Sequence, residues 1–239
     1  MKLGLKTLNL EYEGGTLYLN ETPRKPDVRT IRQMSKVLFD PDARKQDPEM
    51  PIYYMYRDLA PELKQAGVRL DVTILPPIML GHEFNKTLGH YHPPAVPGWS
   101  YSELYNVLEG EAHYLLQKPS PTGSIEDVIL VTAKKGDCIP MPPNYGHITI
   151  NPGKGPLIMA NLVYPGFESE YFEYEQKRGG AYYELTGGKF IQNPTYGLLP
   201  QLKIRKGGCK REFKPDILAA YQKDPKPFEF LKDPTLFKE

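Results

Sequence analysis

The chain has 239 residues, 30 basic and 29 acidic side chains, and a formal net charge of +1 at pH 7. This near-neutral balance gives no electrostatic reason to expect a nucleic-acid or membrane partner, and no apolar run approaches the roughly 20 residues that a membrane helix needs. The two cysteines, Cys138 and Cys209, lack the spacing of a disulfide framework, which favours a reduced, cytoplasmic setting. The length suffices for one domain with a sizeable core, and the 25 prolines and 21 glycines indicate the many turns of an all-β chain.

The predicted secondary structure consists mainly of short strands. Near the amino end, Asp27 is placed to cap a short helix. The apolar face of that helix would consist of Val28, Ile31, Met34 and Leu38. Six β-rich runs follow: Arg69–Leu75, Tyr101–Leu108, Glu111–Gln117, Val128–Thr132, His147–Ile150 and Leu157–Tyr164. No long helical pattern separates these runs, which argues against a parallel α/β fold.

Turn signals and composition describe the rest of the chain. Glu109-Gly110 predicts a hairpin turn between the second and third strands, and Thr186-Gly187-Gly188-Lys189 predicts a later hairpin. From Asn193 onward the chain is rich in proline and charge, with at most one short helix near Pro215–Lys223. The aromatic side chains of this tail, which would be costly to expose to water, are Phe213, Tyr221, Phe228, Phe230 and Phe237. We therefore expect the tail to pack along the core of the domain; the alternative is a tail that clasps a second subunit.

Three of the five histidines and one glutamate form a candidate metal-binding set. His90 and His92 stand two residues apart, so on a β-strand both side chains point to the same face. Glu103 shares one face of an alternating segment with Tyr105, and His147 opens another β-rich run. Three imidazoles and one carboxylate suit Fe, Mn, Ni or Zn, and such a set leaves coordination positions for a substrate.

The same residues stand in two motifs that resemble those of the cupin superfamily, whose members are small double-stranded β-barrels that bind one metal inside. In the first motif, Glu103 is followed after six residues by Gly110. The second motif reads Gly136-x5-Pro142-x-Asn144-x2-His147-x3-Asn151. Two positions depart from the usual pattern, since Phe84 and Asn144 stand where glycines are usual. Asparagine tolerates the left-handed turn conformation better than most residues.

Within the cupins, the chain resembles the archaeal-type glucose-6-phosphate isomerase family over roughly residues 69–179. The matching strings are Asp71-Val72-Thr73-Ile74-Leu75-Pro76, Thr87-Leu88-Gly89-His90-Tyr91-His92, Ser102-Glu103-Leu104-Tyr105, Pro142-Pro143-Asn144-Tyr145-Gly146-His147 and Leu162-Val163-Tyr164-Pro165. The gap between His92 and Glu103 is longer than in the family, and we expect Pro93–Trp99 to form a loop there. The resemblance implies a single jelly-roll-like cupin domain, with short helical elements in residues 1–68 and a carboxyl-terminal hairpin and tail in residues 180–239.

The resemblance also implies a function and a set of site residues. It implies that glucose 6-phosphate and fructose 6-phosphate, intermediates of glycolysis and gluconeogenesis, are interconverted by a cytoplasmic homodimer. One divalent metal per chain, iron first and Mn, Ni or Zn as alternatives, would be bound by His90, His92, Glu103 and His147. The substrate-binding residues implied by the resemblance are Thr73, Thr87 and Gly89 for the phosphate and Tyr105 and Tyr164 for the sugar.

Glu103 has two competing roles in this scheme, because the candidate general base is also a candidate metal ligand. Metal ligation lowers the basicity of a carboxylate, so catalysis as a base requires ligation that is weak or reversible. A hydride shift between the two carbons is the rival mechanism, and mannose 6-phosphate is a second possible substrate. Two other cupin functions stay open from the sequence: an Fe(II) dioxygenase with the same ligands, and a sugar-binding cupin without catalysis.

Overall fold

The computed structural model describes residues 1–238, and this part of the chain contains nineteen strands and three short α-helices. The strands are β1 (Leu10–Glu13), β2 (Thr16–Leu19), β3 (Thr22–Pro23), β4 (Asp27–Thr30), β5 (Pro51–Tyr56), β6 (Arg69–Leu75), β7 (Met79–Leu80), β8 (Glu83–Lys86), β9 (Pro94–Val96), β10 (Trp99–Ser100), β11 (Glu103–Glu109), β12 (Glu111–Pro119), β13 (Ile125–Lys134), β14 (Cys138–Met141), β15 (Gly146–Asn151), β16 (Leu157–Val163), β17 (Tyr182–Leu185), β18 (Lys189–Gln192) and β19 (Lys203–Lys206). The α-helices are α1 (Ile31–Met34), α2 (Phe172–Gln176) and α3 (Ile217–Lys223). Short 3-10 helices lie at Ser35–Val37, Pro61–Ala66, Pro194–Tyr196, Lys226–Leu231 and Pro234–Leu236. None of the helices in residues 1–238 is long and apolar enough to cross a membrane.

Two large sheets form a double-stranded β-barrel. One sheet has the strand order β14-β11-β16-β6-β5-β4, and the other runs β18-β17-β8-β15-β12-β13-β19, with β7 paired to β8. Most neighbouring strands are antiparallel and distant in sequence, which is the jelly-roll arrangement. A three-stranded sheet, β1-β2-β3, lies outside these two. The fold is therefore the all-β cupin barrel that the sequence predicts, and all six predicted strands are present.

The six-stranded sheet separates two apolar clusters because its side chains alternate between its two faces. On β6, Leu70, Val72 and Ile74 are fully buried in the outer cluster. Asp71 and Thr73, on the opposite face of the same strand, line a cavity inside the barrel. Asp71 and Thr73 are therefore directed toward the barrel interior, where the candidate site lies.

The carboxyl-terminal tail covers the outer face of the six-stranded sheet, as expected for a tail that packs on the barrel. Phe213, Tyr221, Phe228 and Phe230 are buried in the outer cluster, and Phe237 packs against it partly buried. Helix α3 confirms the predicted helix of the tail. The preceding residue, Asp216, caps the helix, because its carboxylate accepts a hydrogen bond from the Ala219 backbone N–H at 3.0 Å. The other oxygen of the same carboxylate accepts from the Lys6 backbone N–H at 2.8 Å, which ties the tail to the amino end.

The prediction of a helix capped by Asp27 is wrong in its start. Asp27–Thr30 is an edge strand that pairs with β5, and the hydrogen bonds of this pairing outweigh the helical spacing of the local apolar residues. Helix α1 begins after Thr30, whose backbone N–H donates to the Gln33 side chain at 3.0 Å. Val28 is 38% exposed and so does not belong to the buried face of the helix.

The predicted hairpin at Glu109-Gly110 is also wrong, because β11 and β12 belong to different sheets. Gly110 turns the chain from one sheet to the other with φ of +85°. A Cβ atom there would lie 2.7 Å from the Pro156 carbonyl oxygen, so only glycine fits. The later hairpin is confirmed between β17 and β18. The segment expected to be a loop after His92 contains the small hairpin β9–β10.

Candidate active site

His90, His92, Glu103 and His147 come together at one point inside the barrel. Their ligand atoms all lie within 4.8 Å of one another. Glu103 is the first residue of β11, and His147 is the second residue of β15 in the opposite sheet. The segment after β8 carries His90 and His92, and His90 forms an isolated β-bridge with His147. The candidate metal ligands predicted from spacing therefore converge from both sheets of the barrel.

The distances within this cluster fit a first-row metal ion. The Nε2 atoms of His90 and His92 are 3.1 Å apart. Glu103 Oε2 lies 3.3 Å from His147 Nε2 and 3.5 Å from His92 Nε2. Neighbouring ligands that each bind one ion at about 2.1 Å stand roughly 3 Å apart at right angles, close to these separations.

The protonation states of the cluster also fit a cation. Burial and the neighbouring His147 and His92 lower the pKa of His90 well below its ordinary value, and burial likewise lowers the pKa of His147. Burial alone would raise the pKa of Glu103, but its contacts with His147 and His92 outweigh that effect and lower the pKa. Glu103 Oε2 is buried without a hydrogen-bond partner in residues 1–238. Neutral imidazoles around an anionic carboxylate oxygen are the forms that bind metal.

A hydrogen bond outside the cluster fixes the orientation of His92. Its Nδ1 lies 3.0 Å from the Tyr101 carbonyl oxygen, and a carbonyl can only accept, so Nδ1 carries the proton. The lone pair of a neutral His92 is then on Nε2, which faces the other ligands. This arrangement is the usual way in which proteins orient a metal-binding imidazole.

A cavity of about 490 Å³ adjoins the cluster, and all the residues predicted to bind the substrate line it. Thr73, Thr87, Gly89, Tyr105 and Tyr164 all line it, together with three of the four candidate ligands. Lys86, which could have added charge for a phosphate, lies elsewhere. Its ammonium group is buried, is paired with Glu83 and donates to the Val37 carbonyl at 2.9 Å.

The two threonines of the cavity have different hydrogen-bond environments. Thr87 Oγ1 accepts a hydrogen bond from the Thr149 backbone N–H at 2.9 Å, so its hydroxyl proton is available to another acceptor. The Thr73 hydroxyl has no partner among residues 1–238. Gly89 also lines the cavity, and its φ is +88°; a Cβ atom there would lie 2.6 Å from Ile148. Gly89 is therefore required by the packing of the wall.

Further polar residues that were not predicted as site residues line the cavity, among them Arg57, Arg69, Asp71 and Asn161. Arg69 Nε donates to both carboxylate oxygens of Asp71 at 3.0 and 2.9 Å, and Arg57 Nη1 lies 3.5 Å from that carboxylate. Arg69 and Asp71 could have been predicted as cavity residues from strand alternation, because both lie on the same face of β6 as Thr73. Asn161 is the one polar residue of β16, and that isolated polarity was its signal in the sequence.

Comparisons with known proteins identify the family of this chain. A family described as "Glucose-6-phosphate isomerase (GPI)" matches residues 28–198. The glucose-6-phosphate isomerase of Thermococcus litoralis is 30% identical over 160 residues, covering 66% of this chain and 77% of that protein. The Pyrococcus furiosus protein of the same name is 29% identical over 143 residues, covering 59% and 70%. A crystal structure of Lactobacillus farciminis oxalate decarboxylase matches at 16% identity, and the match covers 50% of this chain and 29% of the decarboxylase chain. Its TM-score of 0.34 is too low to add to the family assignment.

Fold and site together define a cupin with a candidate metal centre of three histidines and one glutamate. Within that class, the chain belongs to the glucose-6-phosphate isomerase family.

Proposed function

We propose that this protein is a metal-dependent aldose–ketose isomerase that interconverts glucose 6-phosphate and fructose 6-phosphate. The observation that carries the proposal is one cavity in which the candidate metal ligands and a group of neutral hydrogen-bond donors lie together. A sugar phosphate has both a carbonyl end that needs an electrophile and an anionic end that needs donors. The family to which the chain belongs supports the same substrate.

Thr73, Thr87 and Gly89 would bind the phosphate group. Both threonine hydroxyls are free to donate, and the Gly89 backbone N–H has no acceptor among residues 1–238. The φ of +88° at Gly89 and the absence of a side chain let an anion approach the backbone closely. Neutral donors of this kind bind phosphate without a lysine, which agrees with the burial of Lys86 away from the cavity.

Glu103 would act as the general base at the other end of the sugar. Its carboxylate removes the proton from C2 of the open-chain aldose and delivers it to C1, while the proton on O2 passes to O1. A bound divalent ion would supply Lewis-acid stabilisation of negative charge on the sugar oxygens. A hydride shift from C2 to C1 is the rival path, and it needs no base at Glu103.

Two tyrosines would bind the hydroxyl groups of the sugar. Burial, with a smaller contribution from the neighbouring Glu103, raises the pKa of Tyr105 well above its ordinary value, so its hydroxyl remains a donor. That hydroxyl lies 3.4 Å from His147 Nε2, at the boundary between the metal ligands and the cavity. Tyr164 stacks on Tyr101 with 5.0 Å between ring centroids, which fixes its position on the cavity wall.

We further propose one metal ion per chain, with iron preferred over Mn, Ni or Zn, and a cytoplasmic homodimer that acts in glycolysis and gluconeogenesis. Mixed imidazole and carboxylate ligands support a first-row metal rather than Ca²⁺ or Mg²⁺. Two free cysteines are consistent with the cytoplasm. The homodimer rests on the resemblance to the family, and light scattering of the purified protein tests it.

One assay tests the proposed reaction. Metal-loaded protein is mixed with fructose 6-phosphate, and glucose 6-phosphate is followed through a coupled dehydrogenase, with mannose 6-phosphate tried in parallel. Turnover that disappears with a chelator supports the proposal. Oxygen consumption without isomerisation would identify a dioxygenase instead, and sugar-phosphate binding without turnover would identify a binding protein.

A further inference from the structure

A buried hydrogen bond joins the candidate ligand Glu103 to Asn161 of the neighbouring strand. Asn161 Nδ2 donates to Glu103 Oε1 at 2.6 Å, and the two residues are only 5% and 4% exposed. Strands β11 and β16 pair with Glu103 opposite Val163 and Tyr105 opposite Asn161. Glu103 and Asn161 are therefore diagonal neighbours on the interior face of the sheet, within reach of each other.

The chemistry of the two side chains fixes the direction of this bond. An ionised carboxylate only accepts, so the NH2 group of the Asn161 amide must face Glu103. Oε1 is thereby held by the amide, whereas Oε2 faces His92 and His147 and has no hydrogen-bond partner in residues 1–238. The two oxygens of one carboxylate thus have different environments.

The strand that carries Asn161 is well suited to hold a side chain still. β16 is flanked on both sides, by β11 and β6, and all seven of its residues are buried. Asn161 is the one polar residue among them, and a buried amide is costly unless it is hydrogen-bonded. A side chain on an interior strand is positioned more precisely than one on a loop.

We propose that Asn161 is a positioning residue of the metal centre, which holds Oε1 of Glu103 so that Oε2 is presented to the metal ion. The inference rests on the metal site of the proposed function and not on the identity of the substrate. Outer partners of metal ligands commonly change metal affinity by 10- to 100-fold when they are removed. Asn161 would have this role without touching the metal itself.

The test replaces Asn161 and measures metal binding rather than turnover. Asn161→Leu has a similar size but no donor, and Asn161→Ala removes the donor with less risk of overpacking. We expect both to weaken binding of Co²⁺ by about 10- to 100-fold in chelator competition. We also expect the visible absorption of the Co²⁺-loaded protein to change, because it depends on the arrangement of the ligands around the ion.

Met159→Leu is the matched control, since Met159 lies on the same face of β16 but opposite Val107 instead of beside Glu103. It should bind Co²⁺ with the affinity and absorption of the wild type. Folding of each metal-free variant is checked by chemical denaturation, and the alanine variant decides if the leucine variant does not fold.

Co²⁺ affinity within twofold of wild type and an unchanged spectrum in the folded variants would overturn the positioning role. A wild-type protein that binds Co²⁺ but does not isomerise fructose 6-phosphate would refute the substrate proposal and leave the result on Asn161 intact. A wild-type protein that binds no Co²⁺ would overturn the metal site and this inference together.

Discussion

Two threonine-to-valine substitutions give different outcomes because the hydroxyls of Thr73 and Thr87 differ in their protein partners. Valine keeps the β-branched shape of threonine and removes only the hydroxyl group. At Thr73 the change affects no hydrogen bond within residues 1–238. At Thr87 it also removes the acceptor of the Thr149 backbone N–H, which lies 2.9 Å away in the buried strand β15.

The expected magnitudes follow from these contacts. Losing a hydrogen bond to a charged phosphate costs about 1.5–3 kcal/mol, so each variant should bind the sugar phosphate roughly 10- to 150-fold more weakly. Thr87→Val should in addition lower the free energy of unfolding by about 1–3 kcal/mol, because a buried N–H is left without an acceptor. Thr73→Val should leave the free energy of unfolding within about 0.5 kcal/mol of the wild type.

Calorimetric titration with a sugar phosphate measures the affinity, and denaturation of the metal-free protein measures the stability. The coupled assay then shows whether kcat/KM falls in proportion to affinity. Elemental analysis controls for metal content, which neither substitution should change. Normal affinity and normal turnover in both variants would refute the phosphate assignment, and equal stability losses would refute the distinction between the two hydroxyls.

Three further predictions concern the metal, the base and the tail. Purified protein should contain about one metal per chain and lose activity with a chelator. Because burial lowers the pKa of His90 and His147 in the folded protein, the unfolded chain takes up protons first as the pH falls through about 6.5, so the stability of the metal-free protein should decline below that pH. Metal occupancy should fall below about pH 6, where protons compete with the metal for the imidazoles. Metal analysis and denaturation across pH would contradict this if neither changed down to pH 5. If Glu103 is the base, Glu103→Gln should retain metal yet lose at least about a hundredfold in turnover. A loss of metal affinity, with the rate restored by added metal, would instead indicate that Glu103 is mainly a metal ligand. Near-normal turnover together with near-normal metal content would exclude either role. Phe228 is only 1% exposed in the outer cluster, so Phe228→Ala should lower the free energy of unfolding by about 3–5 kcal/mol. The control is Phe172→Ala, at a side chain that is 73% exposed, which should change the free energy of unfolding by less than about 0.5 kcal/mol. Equal effects of the two substitutions in denaturation would mean that the tail does not stabilise the barrel.

Local patterns in the sequence determined much of the barrel and of its candidate site. Alternation of apolar residues marked the central strands, and the two glycines after Thr186 marked a hairpin that the structure confirms. The spacing of His90 and His92, with Glu103 and His147 in later strands, was sufficient to predict the cluster that the structure brings together. Strand alternation and the hairpin turn relate residues a few positions apart, such as His90 and His92, and backbone geometry relates such residues directly. Glu103 and His147 were included for their residue types and their places in β-rich runs, not from local geometry.

Pairing between distant segments was decided by the tertiary structure alone. Asp27–Thr30 has a helical spacing of apolar residues but becomes a strand because β5 offers it hydrogen bonds. Glu109-Gly110 has the composition of a hairpin turn, yet the strands on either side find their partners in different sheets. Alternation sorts side chains between two faces but does not state which strand lies next to which.

The same limit explains why Asn161 was not predicted. In the sequence it is an isolated polar residue in an apolar strand, 58 positions from Glu103. Only the pairing of β16 with β11, in the register that sets Asn161 opposite Tyr105, brings its amide to the carboxylate. The sequence determined that Glu103 faces the barrel interior, and the closure of the sheet determined which side chain holds it there.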